Sequence, residues 1–449
     1  MRHDPPFLRM IASRLGIAKQ SVAQKTMPAL RRVPSILAHY RDTSKLLRGS
    51  ISKQSRRGLD WLNFFLADVQ TGFGAFVAFY LAELGWSKAQ VGLALAAGTI
   101  AALIAQIPGG ALVDAAPWKR GLAGIGICMI GVSALILAVA PAHVLVFVAQ
   151  VLNGVSGAIV TPAIAAISLG LVGRSAMSAR TGRNTRFNAL GNVLTAGAMG
   201  LAGQYLAKSA IFFGAAVLCV PALIALIRIR GDEIDYARAR NAGIGKQAGN
   251  IHRIFDIGKN AKLYIFAGCL FMFQFADASM LPVIGQEVAR YQSGPSAVLM
   301  AGLIAMPQVI TALISPWVGY HSERFGRKPL LLMGFGIEIF RALLFASFSN
   351  YWILIIAQLL SGASAAAVTV LTILVITDLT TGTGRFNLVR GFVGTVIAIA
   401  ASISTGITGF IFQDLGNWEG FLILAGFATA AAALLWFAMP ETRPTKYLD

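Results

Sequence analysis

Two aspartates interrupt long apolar stretches, Asp68 in NFFLADVQ and Asp277 in MFQFADAS, 209 residues apart. An aspartate at the centre of a bilayer costs on the order of 2.5–3.5 kcal/mol on insertion scales, so neither is expected to face lipid. Held away from a countercharge, such a carboxyl group can take up and release a proton near physiological pH, which proton coupling requires. The competing reading is a carboxylate satisfied by hydroxyls, amides and water that only holds a helix contact. Amide side chains recur in similar stretches: Gln70, Gln106, Gln150, Asn153, Gln274, Gln308 and Gln358. In hydrocarbon each needs a partner, so several are expected to face a cavity or a neighbouring helix. Gln150 and Gln358 occupy repeated positions, which favours architecture over binding for them. Phe64, Phe65, Phe73, Phe76, Tyr80, Phe271, Phe273 and Phe275 flank the aspartates, either as an aromatic cavity for an amphipathic substrate or as lipid-facing surface. Glu338 and Arg341 stand at i, i+3 and are expected to neutralise each other on one helix face.

Other chemistries find little support. The three cysteines are far apart in apolar segments and the five histidines lie in tails and loops, so no metal centre and no disulfide framework is expected. No cofactor is expected. No G-x-x-x-x-G-K-[ST] loop occurs, which directs attention to an ion gradient rather than nucleotide hydrolysis.

The elements that carry these residues follow from composition. Of 449 residues 56% are apolar and 13% charged, with a mean hydropathy of +0.68; this is a membrane-protein composition. Twelve apolar spans are predicted at 59–84, 88–113, 121–141, 143–172, 184–207, 209–229, 262–287, 296–319, 329–349, 351–377, 386–412 and 418–439, each long enough for a hydrocarbon core of ~30 Å. With both termini cytoplasmic, the cytoplasmic side holds 34 of the 38 Lys and Arg; Lys88, Lys208 and Arg290 fall outside and Arg341 within a span. The positive-inside rule then sets the orientation, and the net charge of +19 is a membrane-facing asymmetry rather than a sign of nucleic acid. Residues 1–58 carry 13 Lys and Arg against Asp4 and Asp42 and read as a basic cytoplasmic arm drawn to anionic lipid, or else as an organelle-targeting peptide.

The 209-residue spacing recurs. Gly85 falls on Gly294, Ser87 on Ser296, Gly110 on Gly319 and Asp114 on Glu323. At an offset of 208, AQVLNGVSGAIVT from Ala149 matches AQLLSGASAAAVT from Ala357. At 199, the RFN of Arg186 to Asn188 matches the RFN of Arg385 to Asn387, which predicts a shorter loop in the second copy. Two copies of six spans are parallel repeats of the kind that rock around a central site. The domains are then a 59–230 bundle, a charged linker at 231–260, a 261–439 bundle and a tail at 440–449. GYHSERFGRKPLL, Gly319 to Leu331, resembles the G-x-x-x-[DE]-R-x-G-R-[RK] signature of the major facilitator superfamily, supplying Gly319, Glu323, Arg324, Gly326, Arg327 and Lys328. GALVDAAPWKRGL is a degenerate copy that keeps Gly110, Asp114, Lys119 and Arg120.

The resemblance covers residues 59 to 440 and implies an all-α membrane protein of two six-helix bundles. It also implies a cavity lined by spans one and seven, and a peripheral span nine. It places the signature acid of span two at the N-terminus of span eleven. By symmetry Glu323 then meets span five, so Asp114 is expected near Arg385 and Glu323 near Arg186. A PETR tail at Pro440 to Arg443 resembles that of sugar porters, and the Gly-Pro antiport motif of span five is not met. The expected activity is proton-coupled efflux of a small organic molecule by a monomer in a bacterial inner membrane. The expected partners are that substrate, protons and the bilayer. Proton-linked uptake and a non-transporting sensor of the same fold remain as rivals; an intramembrane enzyme is weakest, because no catalytic group clusters in the spans. Asp68→Asn is expected to fold yet lose transport driven by a pH gradient in proteoliposomes; unchanged coupling would remove Asp68 from the mechanism.

Overall fold

The computed structural model describes residues 51–71, 77, 80–81, 84–205, 209–242, 260–291, 296–348 and 351–444. The basic arm therefore lies almost wholly outside the described residues, as do linker residues 243–259. Lys53–Asp449 form one compact unit. Its long helices are α1 Lys53–Thr71, α2 Lys88–Ala115, α3 Lys119–Val139, α4 His143–Val172, α5 Met177–Tyr205 and α6 Ala210–Ile227, followed by α7 Ala261–Tyr291, α8 Ser296–Phe325, α9 Arg327–Ser347, α10 Tyr351–Leu379, α11 Phe386–Asp414 and α12 Asn417–Ala438. A 3-10 turn Gly231–Glu233 and a short helix Tyr236–Ala239 open the linker. Among the described residues nine of these helices are long and apolar enough to cross a membrane.

Local chemistry explains several boundaries. Ser87 caps α2 reciprocally with Gln90, each side chain accepting from the other's backbone N–H, which satisfies two donors the helix leaves open. Helix α5 begins at Met177, well before the predicted start at 184, although its first turns read MSARTGRNTR. The reason is a buried countercharge. Asp60 of α1 accepts from Arg180 Nη2 at 2.7 Å and from Arg183 Nε and Nη2 at 2.8 and 2.6 Å, so a basic turn docks where hydropathy foresees none.

That early start corrects the repeat. Helices α5 and α11 begin at 177 and 386 and end at 205 and 414, so the 209-residue offset holds through both. The second copy has no shorter loop. The two RFN segments are not equivalent: one lies in the third turn of α5, the other at the first turn of α11.

Within each half α2 packs on α4 and α8 on α10 by close backbone approach. A Cβ on Gly154 would stand 2.2 Å from the Gly98 carbonyl, and one on Gly362 would stand 2.2 Å from that of Pro307. These are the same contact 208 to 209 residues apart, where no side chain fits. Of the rings expected to form an aromatic cavity, Phe64 and Phe65 pack on Trp61 within α1, and Phe65 with Trp61 lines a cleft of about 600 Å³, whereas Phe273, Phe275 and Tyr80 pack helix on helix. Phe273 stacks on Phe335 at 4.8 Å, Phe275 on Phe427 at 4.2 Å, and Tyr80 meets Phe212 at 4.9 Å. Gly154→Ala and Gly362→Ala should each destabilise the purified protein by ~1–3 kcal/mol through overpacking. Gly92→Ala, whose Cβ would meet nothing within 4 Å, should leave the melting temperature unchanged or higher.

Candidate functional site

The two halves meet where α2 ends and α11 begins. Asp114, at the last turn of α2, accepts from the backbone N–H of Asn387 at 3.2 Å and of Leu388 at 2.8 Å, and from Asn387 Nδ2 at 2.8 Å. Asn387 and Leu388 are the second and third residues of α11, whose amides have no partner inside their own helix. An N-cap residue ordinarily supplies that acceptor; here it comes from the other half of the molecule, and its negative charge faces the positive end of the helix dipole. Gly110, one turn earlier, lets the backbones touch: a Cβ there would stand 2.2 Å from the Asn387 carbonyl. Gly391 does the same from the other side, 2.3 Å from the Gln106 carbonyl. Lys119 is buried and donates to the Val113 and Ala116 carbonyls at the end of α2, while Arg120 donates to the Ile227 carbonyl at the end of α6.

The equivalent contact joins α8 to α5. Glu323 accepts from the Ser178 hydroxyl in the first turn of α5 and from Arg327 Nη2, the latter at 2.8 Å. A Cβ on Gly319 would stand 2.5 Å from the Ser178 carbonyl, and one on Gly182 2.5 Å from that of Ser315. Ser178 and Asn387, like Gly182 and Gly391, are 209 residues apart, so the repeat extends to the contact itself. The expected arginine partners are replaced. Asn387 and Ser178 meet the acids; Arg186 is exposed in the third turn of α5, and Arg385 is the N-cap residue of α11, its backbone N–H given to Thr383 Oγ1.

The signature turn is also tied down. Gly326 has φ +98°, a conformation that favours glycine. Arg327 is buried, donating to Asp378 at 3.1 Å and to Ser322 at 3.1 Å; Arg324 is exposed. Lys328 Nζ donates to the Trp436 carbonyl at the end of α12. The PETR tail contributes more than its sequence suggests. Glu441 accepts from the first amides of α9, Arg327 and Lys328, and Arg443 donates to the Glu323 and Arg324 carbonyls at the end of α8. The start of the linker lies across the same end. Asp235 N–H donates to the Gly170 carbonyl of α4, and Asn241 Nδ2 donates to the Thr377 carbonyl of α10 at 2.6 Å.

Deeper in the unit lie two adjoining chambers. One of about 360 Å³ is lined by α2, α4, α7, α10 and α11, with Gln106, Thr161, Gln274, Thr369, Thr372 and Arg390 as its polar groups beside Val368, Ile376 and Ile397. The other, about 200 Å³, adds Asn63, Asn184 and Asn188 from α1 and α5. Thr161, Thr369, Ile373 and Arg390 belong to both. Of the amide side chains expected to face a cavity, Gln106 and Gln274 line the larger chamber. Gln150 and Gln358 are buried; the Gln150 side chain lies against Gly98, between α4 and α2. Asn153 is half-buried and gives its carbonyl to Ser156. Asp68 and Gln70 fall on α1, but their side chains lie outside the described residues.

Asp277 is a correction. It was expected to face a central cavity, yet its carboxylate accepts from Arg341 Nη1 of α9 at 2.7 Å. The same nitrogen donates to Glu338 at 2.7 and 3.0 Å, so the expected α9 pair is a triad. Glu338 and Arg341 are buried and Asp277 keeps a third of its side chain exposed. A guanidinium one helix away draws the carboxylate toward itself more strongly than a dilute polar cavity does.

Comparison with known proteins agrees with this geometry. The family model described as Major Facilitator Superfamily matches residues 61–337 and 300–448. The chain belongs to the Major Facilitator Superfamily. An uncharacterized MFS-type transporter of Mycobacterium tuberculosis is 35% identical over 391 residues, covering 86% of this chain and 93% of the relative. A class B tetracycline resistance protein of Escherichia coli is 30% identical over 32% of this chain and 35% of its own. Multidrug resistance protein 2 of Bacillus subtilis is 29% identical over 33% and 36%. A solved MFS proton:xylose symporter superposes with a TM-score of 0.64 at 15% identity, covering 87% of this chain and 96% of that one; it shows the fold.

For this MFS transporter the main residue missed in the sequence is Arg390. The charge count groups it with the cytoplasmic end, but it stands one turn inside α11 at the chambers. Its lone position in LVRGFVG, inside a predicted span, is the signal that was available. Arg341→Met should leave the buried Glu338 without a countercharge beside Asp277 and destabilise the purified transporter by ~3–5 kcal/mol. Adding Glu338→Gln and Asp277→Asn should recover most of the loss in thermal unfolding; equal stability of Arg341→Met and parent would contradict the triad.

Proposed function

We propose that this MFS transporter exports a small organic molecule by alternating access, driven by proton entry, from a bacterial inner membrane with both termini cytoplasmic. The observation that carries the reading is the contact between Asp114 and the first amides of α11, which joins the halves on one side of the chambers. Together with Glu323 against Ser178 and the linker, it forms a gate at the end where α6 leaves for the linker. The basic-residue asymmetry makes that end cytoplasmic. Chamber walls that are apolar or neutral-polar apart from the single charge of Arg390 suit a neutral or singly charged organic solute better than a polyphosphate, and the matched segments of the tetracycline and multidrug resistance proteins favour export over uptake. Two six-helix bundles, 59–230 and 261–439, are the moving bodies, and Asp68 is the retained candidate for the coupling carboxylate.

The test is movement of a panel of amphipathic organic solutes in proteoliposomes with an imposed pH gradient. Export coupled to protons predicts solute movement opposite to the proton flux that stops when the gradient is collapsed. Movement in the same direction as protons would establish uptake, and no gradient-dependent movement of any solute would favour the sensor.

A further inference from the structure

Arg390 is the one ionised side chain that lines the two chambers, and it belongs to both. Its guanidinium donates from Nη1 to the Thr161 carbonyl of α4 at 2.8 Å, a neutral acceptor from the opposite half. Among the described residues no carboxylate stands within ion-pair distance of it. The acids nearest in the chain and on the adjoining helix are engaged elsewhere. Asp114 is bonded to the Asn387 and Leu388 amides, and Asp378 to Arg327. An arginine in a low-dielectric cavity is ordinarily matched by an anion, and an intramembrane ionisable group without a protein partner marks a substrate path. The surroundings narrow the choice. Thr372 Oγ1 and Gln106 Oε1 are buried without hydrogen-bond partners, while Val368, Ile373, Ile376, Val393 and Ile397 make most of the larger chamber apolar.

We infer that Arg390 is the anchoring site for an anionic substrate: an amphipathic organic monoanion whose carboxylate meets the guanidinium and whose apolar body fills the chamber of about 360 Å³. That volume suits a small organic ligand. A guanidinium holds a carboxylate through paired, charge-assisted N–H donors, and a single cation matches a single charge. The Thr161 bond then gives the site a mechanical consequence. An arriving carboxylate competes with the Thr161 carbonyl for Arg390, exchanging a bond between the halves for a bond to cargo.

This inference rests on the transport reading for its role but not for its test. Full-length protein in nanodiscs is titrated with two isosteric pairs, 4-phenylbutyrate with 4-phenylbutanamide and indole-3-butyrate with indole-3-butanamide. The carboxylate of at least one pair should bind about tenfold or more tightly than its amide. Arg390→Met should bring the carboxylate down to the amide's affinity while leaving the amide's own affinity in place, which also reports that the chamber is formed. Arg390→Lys should keep part of the preference. A parent protein that binds neither carboxylate better than its amide overturns the site, whether or not Arg390→Met folds; so does a preference that survives in Arg390→Met. Carboxylate selectivity without gradient-driven movement in proteoliposomes would uphold the site and remove the transport reading instead.

Discussion

A carboxylate of one half caps the helix of the other. That single arrangement explains why so many features collect at one end of the molecule. The first amides of α11 need an acceptor, the end of α2 can present one, and the two helices must come within backbone distance for the bond to form. Glycine is therefore required at Gly110 and Gly391, where a Cβ would collide with a carbonyl of the facing helix. The contact is charge-assisted and removed from water, and under the proposed alternating access it lies between the two groups of helices that would separate. Such a contact has two discrete states, bonded or open, which is what a switch between conformations needs.

The second contact is built on the same plan with different strength. Glu323 reaches a hydroxyl rather than a pair of amides and shares itself with Arg327, which is itself held by Asp378 and Ser322. Tail and linker brace this end: Glu441 and Arg443 clasp the turn between α8 and α9, and Asn241 bonds to the end of α10. On the α2–α11 side the acid is supported by the linker, whose Arg240 and Asn241 carbonyls accept from the Phe386 and Gly384 amides, and by Arg390 bonded to the Thr161 carbonyl of α4.

Much of this was legible in the sequence, and the remainder failed for identifiable reasons. The signature motif and the 209-residue spacing carry the fold, and Asp114 at the start of α11 follows from the resemblance. The partner within RFN does not, because charge invites an arginine, whereas an acid at a helix start is satisfied by backbone amides and the amide side chain of Asn387. The start of α5 is hidden because hydropathy cannot see Asp60 waiting beneath Arg180 and Arg183. Asp277 looks like an isolated acid until folding brings Arg341, 64 residues later, into contact. Arg390 was misplaced by counting rather than by chemistry: four residues into a span it is already a turn deep.

The central claim is that the Asp114 cap holds the linker end closed, and a distance distribution tests it most directly. Spin labels at Pro117 and Thr381, both exposed, report the separation of the two halves by pulsed electron resonance in a background with the native cysteines replaced. Loss of a helix cap costs about 0.5–2 kcal/mol, so Asp114→Ala should enlarge the long-distance population by roughly twofold to thirtyfold. Asn387→Ala, which keeps both backbone amides, should have the smaller effect. A distribution in Asp114→Ala indistinguishable from that of the parent would contradict the account.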